Sequence, residues 1–283
     1  MDNNFARFKA FYKTASLWSG TLLGLEQFGL SNFNFDHLED KESLDLPVIP
    51  QGTLLGKRAE YFFRFCVEQS NNYDLVLSNV QVFKGKITIG ELDYIIRHKR
   101  TNANIHIELV YKFYIYNPTI TSDKKTKILQ ELNKYQGPNG RDNLVRKLEH
   151  LKNQQLPLLY APETNKLLKG YHIDVTQIKQ KVCFLAHVFI PHQFWSHKFE
   201  YINKSSIVGY YYKYQAFAKA ETTHSYFLPE KYAWKMLPQE LPTSYTFNEI
   251  LELTKESLQR GFAPLIWMQL LESKTFESFF VVK

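Results

Sequence analysis

Asp93 and Glu108 are the residues best placed to do chemistry. Each lies in a strand-like run. Glu91 and Asp93 fall on one face with Ile87, Ile89 and Ile95, and carboxylates among isoleucines are costly to bury unless they are paired or bound to metal. If the two runs are antiparallel neighbours, Asp93, late in the first, meets Glu108, early in the second. Two adjacent carboxylates repel one another and invite a divalent cation. Such a cation orients a water, lowers its pKa and offsets charge on a phosphorane-like transition state, the chemistry of phosphodiester hydrolysis. Lys112 can add positive charge or help position the nucleophile. A strand-end ion pair accounts for the same two acids without any chemistry, and their spacing leaves both readings open.

The elements that must position these residues follow from periodicity. In the run from Ile105 to Tyr116, alternation sets Ile105, Ile107, Leu109, Tyr111 and Phe113 on one face. His106, Glu108, Val110, Lys112 and Tyr114 take the other. A solvent-facing strand has the same pattern. His106 therefore reads as a satisfied surface histidine, with a phosphate contact as the alternative. Leu75–Phe83 and Lys86–Arg97 predict two preceding strands with a turn at Lys84-Gly85. Before them, Leu54–Gln69 predicts an amphipathic helix with Leu55, Phe62, Phe65 and Cys66 on its apolar side. After them, Asn139 caps a predicted helix from Arg141 to Gln155 whose core face is Leu144, Leu148 and Leu151. Val182–Ile190 predicts a buried strand.

The flanking segments are read more coarsely. Residues 1–30 hold two short helical patterns. Ile207–Ala218 predicts a tyrosine-rich strand, better read as packed than as a base-stacking surface. Thr246 and Glu249 form a capping box for a helix to Arg260, and Leu265–Leu271 with Phe276–Val282 predict a terminal hairpin.

The chain has 283 residues and a net charge of +7. Between Arg97 and Lys152 there are twelve Lys/Arg against five Asp/Glu, a surplus of seven. Such a zone favours polyanions, with Arg97, Lys99, Arg100, Arg141 and Lys147 as candidate nucleic-acid contacts; an ordinary solvated basic surface is the alternative. Two cysteines, Cys66 and Cys183, exclude a disulfide framework and read as buried thiols. The sequence offers no secretory signal and no uncharged apolar run long enough to span a bilayer, so a cytoplasmic protein with no membrane partner is expected.

Several motifs, in order, resemble the PD-(D/E)XK nuclease superfamily: Gly56-x-x-x-Glu60 on a helix, Gly90-Glu91-Leu92-Asp93 ending a strand, and Glu108-Leu-Val-Tyr-Lys112 on the next. More narrowly, GELDYII, ELVYKFY and GPNGRDNLVRKLEHLKNQQLPL resemble a bacterial family of uncharacterised proteins grouped with these nucleases. The resemblance covers about residues 54–190. It implies an αβββαβ core with a mixed sheet, and Mg²⁺ or Mn²⁺ held by Asp93, Glu108 and the Leu109 backbone carbonyl. It also implies Glu60 as an auxiliary acid, Lys112 as the catalytic lysine, and support from Gln154; Glu91 and His106, beside the acids on their strands, are further supporting candidates. The superfamily's usual lysine position, two residues after the acid, is Val110 here, and Lys112 lies about 13 Å from Glu108 along a regular strand.

The expected fold is therefore α/β. An N-terminal helical extension (1–50) precedes the core (51–190), and an aromatic-rich α+β extension (191–283) packs on it. The expected function is metal-dependent hydrolysis of DNA, or less so RNA. The alternatives are a nucleic-acid-binding module without cleavage and a protein-interaction module of the same fold.

Overall fold

The structure is a computed structural model that describes residues 4–34, 44–220, 223–236, 238 and 243–283. In chain order the elements begin with α1 (Asn4–Tyr12), β1 (Thr21–Leu22), β2 (Leu25–Glu26) and α2 (Leu55–Glu68). Next come β3 (Tyr73–Lys84), β4 (Ile87–His98), β5 (Asn104–Tyr116), α3 (Lys127–Leu132), β6 (Tyr135–Gln136), α4 (Leu144–His150) and α5 (Pro162–Lys169). The last are β7 (Lys179–Pro191), β8 (Ile207–Lys213), α6 (Tyr214–Phe217), β9 (Ser225–Phe227), α7 (Phe247–Gln259), β10 (Leu265–Gln269) and β11 (Phe276–Val282). The fold is α/β, and its sheet pairing is mixed.

The chain divides into two compact units, residues 1–111 with 146–185 and residues 112–145 with 186–283. Within the first, the strand order is β3-β4-β5-β7, and β3-β4 and β4-β5 are antiparallel. One core packs α1 and α2 on the sheet. Phe8, Phe11, Phe62, Phe63 and Phe65 meet Tyr94, Ile96, Ile105 and Ile107 there, with Cys66 and Cys183 as buried free thiols. A second core sets Leu92 and Ile95 against Leu158, Leu159 and Leu168. Apolar cores thus flank the sheet near Asp93 and Glu108, with Glu108 buried and Asp93 partly so.

In the second unit β8 runs parallel to both β7 and β11, while β11-β10 and β10-β9 are antiparallel. Its core joins Tyr210, Phe217, Phe279 and Val281 to Ile250 and Leu258 of α7. The capping box of Thr246 and Glu249 starts that helix, and Gly261, at φ +82°, follows its end. The terminal hairpin forms, with Lys274 at φ +57° in its turn.

Several expectations need correction. The second N-terminal helical pattern is a hairpin: Leu23 and Gly24 both take positive φ, the conformation of a type I′ turn, which outweighs the helical spacing. The β3–β4 turn is Gly85-Lys86 rather than Lys84-Gly85, with Gly85 at φ +64° in the first central position. The helix expected from Arg141 begins at Leu144, and the chain continues as a π-helical turn over Leu151–Gln155 and a 3₁₀ turn over Leu156–Tyr160. Asn139 does not cap it, because its Oδ1 accepts from the Ala263 N–H at 2.7 Å. The tyrosine-rich strand stops at Lys213 and turns into α6.

Candidate functional site

Antiparallel pairing of β4 and β5 runs from Arg97↔Asn104 to Tyr94↔Ile107. One step further in the same register, Asp93 faces Glu108. There the Asp93 side chain takes over from the ladder, and Oδ2 accepts the Leu109 N–H at 2.8 Å. The expected meeting of the two acids occurs because the strands are neighbours and antiparallel.

Glu108 is fully buried, and both its oxygens are engaged. His106 Nε2 lies 2.9 Å from Oε1, and Gln155 Nε2 lies 2.5 Å from Oε2. The partners' own bonds fix their orientation. Gln180 Nε2 donates to the Leu156 carbonyl at 2.7 Å and gives its other hydrogen to His106 Nδ1 at 3.1 Å. The imidazole proton therefore sits on Nε2 and points at Glu108. Gln155 Oε1 accepts from Lys147 Nζ at 2.6 Å, which turns its amide nitrogen toward Glu108. Burial holds the His106 pKa down to about 4, so its contact with Glu108 is a hydrogen bond from a neutral ring rather than an ion pair.

The two acids are electrostatically strained. Burial pushes Asp93 up to about 8, reinforced by the charges of Glu108 and Glu60 and opposed by the Leu109 N–H and Lys147. Burial also pushes Glu108 up to about 7, opposed by Lys147 and by hydrogen bonds from Asp93. Lys147 is thus the cation that acts on both carboxyls. Near neutral pH the pair favours holding a proton, or a cation in its place.

Glu60 reaches the same region from α2. It pairs with Lys57 Nζ at 2.5 Å, accepts a hydrogen bond from Asn79 Nδ2, and its backbone carbonyl accepts from Tyr94 Oη at 2.8 Å. Asn79 also lies 3.5 Å from Glu91 Oε1. Flanking pairs Ser78↔Tyr94 and Val80↔Leu92 set Asn79 opposite Asp93, in the left-handed conformation at φ +52°. Asparagine tolerates that geometry better than most residues.

The other candidates separate. Lys112 belongs to the second unit, where its Nζ pairs with Asp142 Oδ2 at 2.6 Å, and Val110 is buried. His106 is fully buried, so it is neither a surface histidine nor a phosphate contact; the face it shares with Glu108 is covered by the chain around Gln155 and Leu156. Gln154 is exposed, and its neighbour Gln155 makes the supporting contact. The spacing of Leu144, Leu148 and Leu151 extends to 155, and that signal was legible. Nothing in the sequence singled out Gln180 or Asn79. Among the basic candidates, Arg97 Nε bonds Asn104 at 3.2 Å, and Lys99 Nζ bonds the Ser70 carbonyl at 2.8 Å. Arg100 and Arg141 are exposed.

A family profile described as a domain of unknown function, DUF1853, matches residues 30–277. The chain belongs to this family. Neither a curated protein nor a solved structure matches it. Among the described residues no helix is long and apolar enough to cross a membrane.

The donor set suits a hard divalent cation better than zinc. It offers two carboxylates, with the Leu109 carbonyl as a candidate third oxygen. Among the described residues no group of three or more His, Cys, Asp or Glu side chains is arranged to hold a metal. Few protein oxygens, with water and phosphate completing the shell, is the usual way Mg²⁺ is bound.

Proposed function

We propose that this chain is a metal-dependent phosphodiesterase acting on nucleic acid, DNA before RNA, with the PD-(D/E)XK arrangement that its sequence resembles. The observation that carries this reading is the opposed pair itself. Asp93 and Glu108 face each other across two antiparallel strands, with pKa values raised to about 8 and about 7.

In this reading Glu108 is held still by His106 and Gln155, and Asp93 by the Leu109 N–H. Both would offer oxygen to Mg²⁺ or Mn²⁺. Bound there, the metal supplies Lewis acidity and a water of lowered pKa. Glu60 and Glu91, tied together through Asn79, supply further acceptors for ordering that water. Lys147 takes the electrostatic part that the resemblance gave to Lys112: it offsets the acid pair and reaches Glu108 through Gln155. Water would attack phosphorus directly, with no covalent intermediate, losing its proton to solvent as the P–O bond to the leaving oxygen breaks and that oxygen takes up a proton.

A second reading, nucleic-acid binding without cleavage, is favoured by the buried Val110 in the usual lysine place and by the Lys112–Asp142 pair. Calorimetric titration of Mn²⁺ into wild type and Asp93→Ala/Glu108→Ala, with plasmid and oligonucleotide cleavage on the same samples, separates the two. Binding and cleavage by wild type alone support the enzyme. Nucleic-acid binding that survives in the double variant, with no cleavage by wild type, supports the binding module.

A further inference from the structure

The second unit carries a basic, aromatic-lined cleft whose lining includes neither Asp93 nor Glu108. Alternation along β8 builds one wall. Tyr210 and Tyr212 turn into the core of that unit, while Tyr211 and Lys213 line the cleft. The opposite wall is the tight Gly137–Arg141 loop. It is closed by Gly137 N–H to the Asp142 carbonyl at 2.9 Å and Gly140 N–H to the Gly137 carbonyl at 2.8 Å. Asn139 ties this loop to the segment after α7 through the Ala263 N–H. That segment presents Phe262, whose side chain is 55% exposed. Arg141 lies beside Gly261, its Nη2 3.9 Å from where a Cβ would stand.

The cleft encloses about 390 Å³. A second one of about 480 Å³, lined by Lys255 and Tyr214, adjoins it and shares Lys213, Leu258 and Lys283. Among the described residues no aspartate or glutamate lines either. The nearest counter-charge on Lys255 is Glu252, at 3.8 Å and largely exposed.

We propose that this groove is a track for single-stranded nucleic acid, with phosphates along Arg141, Lys213 and Lys255 and an unpaired base on Phe262. An exposed aromatic ring between cations is the combination that binds single strands, since every base has a face to stack and the cations follow the backbone. A duplex keeps its bases stacked inside and has none to offer the ring. Two clefts in succession make the site longer than a mononucleotide needs. The claim stands apart from catalysis, so it is tested without metal.

The test is fluorescence anisotropy on the full chain in EDTA, using an oligothymidylate of roughly 12 nucleotides, within known single-strand site sizes, and a duplex of equal length. Wild type should favour the single strand, with affinity that falls as salt rises. Lys213→Glu/Lys255→Glu should weaken binding by on the order of tenfold or more, and Phe262→Ala by about tenfold, with unchanged thermal melts in both. Asp93→Asn should bind as wild type does, which separates this site from the acid pair. Equal affinity for the duplex, competition by pyrophosphate as strong as by the oligonucleotide, folded variants that bind normally, or loss of binding in Asp93→Asn would each overturn it.

Discussion

Replacing Asp93 with asparagine should make the metal-free protein more stable, and more so as pH rises. The amide oxygen can still accept the Leu109 N–H, and the amide nitrogen can donate to Glu108, so the hydrogen bonding survives while one charge is lost. A carboxyl raised from 3.8 to about 8 is one that folding keeps protonated. Its contribution to stability is fully present below the unfolded pKa, falls as pH climbs, and levels off above about 8. At 1.36 kcal/mol per pKa unit the full difference is roughly 6 kcal/mol. Asp93 is partly open to water, which screens it, and about 2–3 kcal/mol is the working figure. Urea unfolding in EDTA should therefore show little gain for Asp93→Asn near pH 4 and about 2–3 kcal/mol near pH 8.5, at unchanged m-value. Mn²⁺ at about a thousandfold excess over Kd should reverse the order, because wild type then gains about 4.1 kcal/mol and the variant gains little. An equal gain at both pH values, or destabilisation at both, would refute the electrostatic reasoning.

Three other substitutions test the remaining parts of the frame. Glu108→Ala leaves the His106 Nε2–H and the Gln155 amide without their buried acceptor, and should cost on the order of 2–4 kcal/mol in urea unfolding; a neutral effect would mean that water replaces the carboxylate. Lys112→Ala breaks a half-exposed pair with Asp142 and should cost under about 1 kcal/mol and leave cleavage intact, whereas Lys147→Ala should lower cleavage by about tenfold or more; the reverse pattern restores Lys112 to the site. Gly209→Ala places a Cβ 2.2 Å from the Ser278 carbonyl oxygen, a backbone atom that cannot swing aside, and should lower stability by on the order of 3 kcal/mol in thermal unfolding; a melting temperature equal to wild type would show that β8 and β11 can move apart.

What was legible in the sequence follows physical lines. Runs of alternating or continuous apolar residues located β3, β4, β5 and β7 to within a few residues, because burial of a sheet imposes those patterns. The Thr246–Glu249 box located α7, because its chemistry is local. The sequence pairs Asp93 with Glu108, since two strands joined by a short turn are antiparallel neighbours and the register follows. Long-range partners were out of reach. Whether His106 faced water or protein depended on Gln180, 74 residues away in sequence. Lys112 was read by its distance from Glu108 along one strand, yet its partner, Asp142, lies 30 residues on. The one-residue error at Gln154 came from naming a helix-end residue without carrying the Leu144–Leu148–Leu151 spacing one step further.

His106 explains how a buried carboxylate can be held and still be available. A charged imidazole would lock Glu108 into an ion pair and compete with a metal for its oxygen. The ring is neutral because burial holds its pKa near 4, and Gln180 spends Nδ1 as an acceptor, leaving Nε2–H as a single directed donor. Gln155 does the same on the other oxygen, and its orientation is set by Lys147. Glu108 thus accepts from the neutral His106 and Gln155 donors, one on each oxygen, and from Asp93. Lys147 bonds Gln155 and lowers the proton affinity of both acids. Neutral donors in contact with Glu108 and a cation behind them suit a site that exchanges a proton for a metal, which is the feature the Asp93→Asn and Mn²⁺ measurements probe.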